Sequence, residues 1–229
     1  MTSLERDDPP PAAKPEAPPV DPKAIVREGY DRASYAYRGD EFDDYERSGY
    51  AYWLSRLTPR LREGARILDL GCGCGIPASG ELAERYQVTG VDISPLQIER
   101  ARRLVPRARF VCADMAEVEF DPRSFDAAVA FFSLINLPLS EQSLVIERVA
   151  RWLEPGGRLL AVVGKYAWTR IEPDFRGVEG VPMYWSHADV ATYRGWFERA
   201  GFTIEEEGSE PRKGNPGYAV LIVRTRRGV

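Results

Sequence analysis

Three aspartates in this chain stand at the ends of short apolar runs: Asp69 in ILDLGCGCGIP, Asp92 in VTGVDIS and Asp114 in ARFVCAD. Asp69 leads directly into a glycine-rich turn carrying Gly71, Gly73 and Gly75. A strand that breaks into such a turn and then a helix offers backbone N–H groups at close approach, which suits a ligand with several polar groups. A dinucleotide loop of the form G-x-G-x-x-G would need a third glycine where this chain has Ile76. Asp69 also stands where a dinucleotide-binding strand is normally apolar, and a carboxylate there fits a ligand bearing a positive charge or an ammonium group. Asp92 and Asp114 read in two ways. A carboxylate has two acceptor oxygens for ligand hydroxyl or amino groups, and aspartate is equally common as a turn residue at strand ends.

His187 is the only histidine. Its unperturbed pKa of ~6.5 makes it the natural general base if one is needed. The competing reading has Ser186 capping the following helix, with His187 an early helical residue and Asp189 favourable in the first turn. Cys72 and Cys74 flank Gly73, and Cys112 lies downstream. An odd cysteine count without framework spacing belongs to a reducing compartment. Zinc would need further ligands beside the CGC pair, so no metal is expected.

The elements that must position these residues follow from the pattern. The chain has 229 residues, 44% hydrophobic and 29% charged, enough to bury one substantial core. Its net charge of -4 gives no basic excess for a nucleic-acid partner. The start has no apolar signal-peptide region, and no run approaches the ~20 apolar residues of a membrane span, so the expected compartment is the cytoplasm. Lysine is confined to Lys14, Lys23, Lys165 and Lys213 while arginine abounds, which points to a bacterial source of high GC content.

Residues 1–21 are rich in proline, alanine and charge, a composition that reads as a flexible tail. The expected domain is 22–229. Two helices occupy 22–63, the second carrying Tyr45, Tyr52, Trp53, Leu54 and Leu57 as one apolar stripe. A core over 64–165 alternates buried strands with helices of about ten residues, which implies right-handed crossovers and a parallel sheet covered on both faces. Residues 166–187 show little regular pattern and are too aromatic for disorder, so they read as a functional loop on the ligand side of the sheet. Residues 188–229 give a helix and two strands. The short link between those strands, with Gly214, Asn215, Pro216 and Gly217, permits a hairpin only, so the last strand should run antiparallel. The expected fold is an α/β, Rossmann-like, doubly wound seven-stranded sheet.

With these residues in place the chain resembles the class I S-adenosyl-L-methionine (SAM)-dependent methyltransferases from about Tyr30 to Arg226. Their first motif, D-x-G-x-G-x-G, is matched by Asp69, Gly71, Gly73 and Gly75. The resemblance implies that Asp92 accepts both ribose hydroxyls, with Ile93 beside it, and that Asp114 and Met115 meet the adenine. FDAAVAFFSLINL and WLEPGGRLL also fit, and Phe131 joins the cofactor-binding set. YDRASYAYR resembles the lid helix of small-molecule members, placing Tyr30 and Tyr37 over the cofactor; packing on one helical face is the alternative. Phe132, Ser133, Asn136, Trp168, Met183, Tyr184 and Trp185 become candidate walls of an acceptor pocket, the two tryptophans having loop anchoring as their other reading. MYWSHADVATY resembles a bacterial subgroup acting in secondary metabolism.

One departure from the family stands at Asn136, where relatives often carry histidine. Asn cannot abstract a proton, so His187 is left as the candidate base. The implied cofactor is SAM, with S-adenosyl-L-homocysteine (SAH) as product, and the implied partner is a small-molecule acceptor methylated most readily at oxygen. Neither nucleic acid nor membrane is expected as a partner, and the chain would be a monomer or homodimer. Three rivals have distinct signatures. A non-methylating SAM-binding enzyme, for a cyclisation or decarboxylation, would turn over without SAH release; an NAD(P)-dependent oxidoreductase would show hydride-coupled absorbance; and a binding module would lack an acceptor pocket.

Overall fold

The computed structural model describes residues 21–42, 48–212 and 215–226, so the tail over 1–20, Tyr45 and Gly214 fall outside it. Asp21 belongs to the domain rather than the tail. Its side chain accepts from the Lys23 backbone N–H at 2.9 Å and caps α1 (Pro22–Tyr37), with Pro22 at the first helical position, where a missing N–H is harmless. α2 (Gly49–Leu57) starts later than the expected helix because Ser48 caps it, accepting from Ala51 N–H at 3.2 Å. Trp53, Leu54 and Leu57 are buried on one face, but Tyr52 is 57% exposed, so the apolar stripe is narrower than expected.

The chain then alternates through β1 (Arg66–Leu70), α3 (Ala78–Ala83), β2 (Gln87–Asp92), α4 (Pro95–Leu104), β3 (Arg109–Cys112), β4 (Phe125–Ala130), α5 (Leu139–Trp152) and β5 (Leu153–Gly164). After β6 (Trp168–Glu172) and β7 (Met183–His187) come α6 (Val190–Arg199), β8 (Phe202–Arg212) and β9 (Asn215–Thr225). The main sheet has the order β3-β2-β1-β4-β5-β9-β8. Its first five strands are parallel, and β9 runs antiparallel to both β5 and β8, as the short link required.

Successive residues of β1 serve opposite layers. Ile67 packs with Trp53, Leu82 and Val129, while Leu68 and Leu70 pack with Val145, Trp152 and Phe197. Burial on both faces explains the nearly continuous apolar strands in the sequence. The strand order reverses between β1 and β4, which opens a crevice at their carboxyl ends. Among the described residues no helix is long and apolar enough to cross a membrane.

Residues 166–187 are not an irregular loop. β6 and β7 form an antiparallel ribbon, paired from Trp168↔His187 to Glu172↔Met183. The ribbon left little trace in the sequence because β6 has no buried face: Trp168 is 41% and Ile171 50% exposed, so no apolar alternation was required of it. Ser186 is not a helix cap either. It lies buried in β7 with its Oγ 2.9 Å from Thr169 Oγ1, and the cap of α6 is Asp189, which accepts from Thr192 N–H at 2.8 Å.

Candidate active site

A cavity, partly open to solvent, lies at the carboxyl ends of β1, β2 and β4 beneath α1. Its floor is the turn after β1. Gly71 (φ +69°), Gly73 (φ +54°) and Gly75 (φ +83°) all take the left-handed conformation that side chains disfavour. A Cβ on Gly71 would collide with Ser133, whereas one on Gly73 would stand in open space on the cavity side. Ser133 is fixed there because its Oγ donates to Leu70 C=O at 2.6 Å, and the preceding Phe132 takes φ +57° to turn the chain off β4.

Asp69 and Asp92 are both buried and both line the cavity. Ser79 Oγ donates to Asp69 at 2.6 Å. Each Asp92 oxygen accepts one backbone N–H, from Gly73 at 2.9 Å and from Ser94 at 2.9 Å, which orients the carboxylate and leaves each oxygen a free lone pair. Burial pushes the Asp69 carboxyl up to about 7, against the Ser79 hydrogen bond. Burial likewise pushes Asp92 up to about 6, against the backbone amides of Ser94, Gly73 and Ile93, and Asp31 adds to the rise. Asp114 accepts from Ala116 N–H at 2.8 Å and pairs with Lys23 Nζ at 2.7 Å.

α1 roofs the cavity and is tied to three of the loops beneath it. Lys23 reaches the loop after β3. Asp31 accepts from Ser94 Oγ at 2.6 Å in the loop after β2. Tyr30 OH donates to Asn136 Oδ1 at 3.3 Å in the loop after β4. A buried Arg100 on α4 adds bonds to Ser34 Oγ, Arg38 C=O and Asp40, all at 2.7 Å. Tyr30 and Tyr37 line the cavity and also pack edge-on at 5.1 Å, so cavity lining and helical packing coexist.

All of the expected cofactor set, Tyr30, Tyr37, Asp69, Gly71, Gly73, Asp92, Ile93, Asp114, Met115 and Phe131, lines this one cavity except Gly75. Gly75 instead lets the turn approach α4 and β3, where a Cβ would press on Val105 and Phe110 at 3.1 and 3.2 Å. Of the expected acceptor walls, Phe132, Ser133 and Asn136 line the cavity, while Trp168, Met183, Tyr184 and Trp185 do not. The ribbon carrying those four backs α1 instead. Met183 is buried in a cluster with Val26 and Phe175, Tyr184 C=O accepts from Asn136 Nδ2 at 2.8 Å, and Trp185 Nε1 donates to Glu172 at 2.9 Å.

His187 is also outside the cavity lining. Its Nδ1 is 2.6 Å from Tyr166 C=O, so Nδ1 carries the proton, and its ring packs against Trp168 and Tyr218. Burial lowers its pKa, against the pull of the Tyr166 carbonyl. Only through Tyr218, in edge contact with Phe132 at 5.3 Å, does it approach the cavity. Lys23, Arg38 and Tyr50 also line the cavity; Lys23 and Tyr50 have no motif around them, and Arg38 ends the segment YDRASYAYR, whose tyrosines alone stood out in the sequence.

A methyltransferase-domain family profile matches residues 67–157, which hold the turn, Asp92, Asp114 and β4. Aklanonic acid methyltransferase of Streptomyces sp. (strain C5) is 32% identical over 201 residues, covering 78% of this chain and 87% of that protein. The chain belongs to the class I SAM-dependent methyltransferases. A second methyltransferase, which acts on 27-O-demethylrifamycin SV in Amycolatopsis mediterranei (strain S699), is 41% identical over 118 residues, 46% of this chain and 43% of that relative's length. Magnesium protoporphyrin IX methyltransferase of Synechocystis PCC 6803, solved with bound SAH, shares the fold with a TM-score of 0.69 at 19% identity, covering 90% of this chain and all of that one.

The residues present fit the cofactor of this methyltransferase family. Asp92 has two free lone pairs for a vicinal diol, and Asp69 has one unused oxygen for an ammonium group among the described hydrogen bonds. Arg38 lines the same cavity with its Nε buried and unpartnered, the guanidinium 4.3 Å from the Phe42 ring, and so offers a counter-charge for a carboxylate. Cys72 and Cys74 are free, buried thiols whose pKa values burial raises, so neither is a thiolate at neutral pH.

The raised carboxyl groups give the site a pH response. Between their unfolded value of 3.8 and their folded values of about 7 and 6, Asp69 and Asp92 hold more protons in the ligand-free folded state. Fold stability contributed by this pair therefore falls as pH rises through that window. Affinity for a cation moves the other way, because SAM is bound best by the ionised carboxylates. Titration with SAM at pH 8 and 5.5 should show affinity roughly tenfold weaker at the lower pH; a flat profile would mean that neither carboxylate meets the cationic end.

Proposed function

We propose that this methyltransferase transfers the methyl group of SAM to an oxygen of a small, partly apolar molecule whose hydroxyl is already acidic, a phenol, an enol or a carboxylic acid. The observation that carries the reading is the continuity of one cavity. The carboxylates suited to the cofactor open directly onto an aromatic wall of Tyr37, Tyr50, Phe131 and Phe132, with Asn136 and Arg38 as polar groups and no histidine in the lining. The names of the aklanonic acid and rifamycin relatives point the same way, towards methylation of small natural products.

When bound, SAM supplies an electrophilic methyl group on a sulfonium. The chain's part is to hold and to enclose. Asp92 takes the ribose hydroxyls, Asp114 the adenine amino group, Asp69 the ammonium and Arg38 the carboxylate of the methionyl end. α1 covers the cavity and excludes water, and the aromatic wall aligns the acceptor. Alignment alone is worth up to roughly 7 to 11 kcal/mol in favourable intramolecular cases. An acidic hydroxyl arrives ionised or nearly so, which removes the need for a base.

The test is turnover of SAM with a panel of phenols, carboxylic acids, aliphatic alcohols and amines, read as SAH release and product mass. Turnover confined to amines would overturn the oxygen assignment, and product without SAH would favour the non-methylating rival. His187→Ala discriminates further. A base contributes about 10²- to 10⁴-fold, so kcat/KM for the acidic acceptor should stay within about threefold of the unaltered enzyme; a loss of 10² or more would restore His187 as the base.

A further inference from the structure

Lys23 is the one lysine in the cavity lining, and it sits at the end where Asp114 and Met115 lie. Three carboxylates surround its ammonium: Asp114 at 2.7 Å, Glu141 at 3.2 Å and Glu117 at 3.5 Å. The Lys23 side chain is 20% exposed and that of Asp114 10%. Burial works against the Lys23 charge, but Asp114 and Glu141 outweigh it and raise its pKa. The placement is determined by backbone geometry, since Lys23 is the second residue of α1 and its own N–H is held by the Asp21 cap.

Asp114 is as closely held. The turn after β3 closes on it, with Glu117 and Val118 N–H donating to its carbonyl at 3.0 and 2.9 Å. One carboxylate oxygen accepts from Ala116 N–H and the other from Lys23, which leaves a lone pair on each. Without Lys23, Asp114 would face Glu117 and Glu141 alone. Arg148, a second cation at this loop, is committed to the carbonyls of Ala116 and Val118 and to Glu119.

We infer that Lys23 is a positioning residue for the adenine end of the cofactor: its ammonium group holds the Asp114 carboxylate in one orientation and pins the first turn of α1 over that end of the cavity. The inference rests on the reading of Asp114 as the acceptor for the adenine amino group. An amino group donates, so its partner must be an acceptor in fixed orientation, and Ala116 N–H and the Lys23 ammonium each hold one oxygen of the Asp114 carboxylate. The same ion pair joins the roof to the floor, so adenine recognition and seating of α1 share one carboxylate.

A double-mutant cycle on the full chain tests this, with SAH as the probe in calorimetric titration and thermal unfolding as the control for folding. Lys23→Met should weaken SAH binding by about tenfold, in line with loss of a charge-assisted contact, and should raise KM for SAM while kcat stays within about twofold. Lys23→Arg should restore affinity to within about threefold, because the charge and reach persist. In an Asp114→Asn background the further effect of Lys23→Met should fall below about twofold. Full loss in that background, or SAH binding insensitive to Lys23→Met, overturns the inference alone. An unaltered chain that does not bind SAH overturns the cofactor reading of the site and this inference with it.

Discussion

Asp92→Ala is expected to weaken SAH binding by at least about 100-fold while leaving the protein folded. Hydrogen bonds to a charged group are worth about 1.5–3 kcal/mol each, so two bonds to the ribose hydroxyls correspond to roughly 10²- to 10⁴-fold in affinity. The carboxylate is already oriented by Gly73 and Ser94 N–H, so little of that energy is spent on ordering it. Its removal carries a modest folding penalty, because the buried charge is itself disfavoured in the ligand-free state, as the raised pKa shows. Of the two freed N–H groups, that of Gly73 belongs to a residue lining the cavity, where water can replace the carboxylate. Asp92→Asn should be nearly as poor: its NH₂ would have to face Gly73 or Ser94 N–H, donor against donor. Calorimetric titration with SAH is the measurement, and binding within about fivefold of the unaltered protein would sink the ribose assignment.

Gly71→Ala should fail by a different route, through loss of the fold. A Cβ at this position meets Ser133 inside contact distance, and Met115 Cε at 3.4 Å. Ser133 cannot yield easily, since its hydroxyl holds Leu70 C=O and its neighbour Phe132 already occupies a left-handed conformation. The left-handed backbone costs an L residue about 1–2 kcal/mol and overpacking adds about 1–3 kcal/mol. The combined 2–5 kcal/mol is a large fraction of the about 5–15 kcal/mol of a typical domain, and at about 2–4 °C per kcal/mol the melting temperature should drop by about 4–20 °C. Gly73→Ala is the contrast. Nothing lies within 4 Å of its Cβ, so the stability loss should stay near 1–2 kcal/mol, while the methyl group intrudes on the ligand's space and SAH affinity falls. Thermal unfolding and SAH titration of both variants separate the roles. If Gly71→Ala melts within about 2 °C of the unaltered protein, the close packing of Ser133 beneath the turn does not constrain that glycine.

The sheet and its cofactor turn are legible in the amino-acid order alone. Buried parallel strands must be apolar on both faces, so β1, β2, β4 and β5 announce themselves as short apolar runs, and glycine is required wherever the chain turns left-handed beside β1. Those constraints are local and leave their mark within ten residues. The short link between β8 and β9 likewise permitted one outcome, an antiparallel last strand. The three aspartates converge because each stands at or within two residues of the carboxyl end of a strand, and parallel neighbours bring those ends to one rim.

What stands opposite that rim depends on packing between distant parts of the chain. His187 looked like the base because it is the sole histidine, yet β7 turns it towards Tyr166 and Tyr218 rather than into the cavity. Trp168, Met183, Tyr184 and Trp185 looked like acceptor walls, yet their ribbon backs α1 from behind. Lys23 carries no motif and Arg38 only closes one, yet both line the cavity because α1, which starts at Pro22 and is capped by Arg38, lies across it. Which side of a ribbon faces a cavity, and where a helix is laid over a sheet, depend on contacts between residues far apart in the chain. Lys23 and Asp114 are 91 positions apart and meet at 2.7 Å. No local periodicity encodes such a meeting, because it exists only once both partners have been carried to it by the fold.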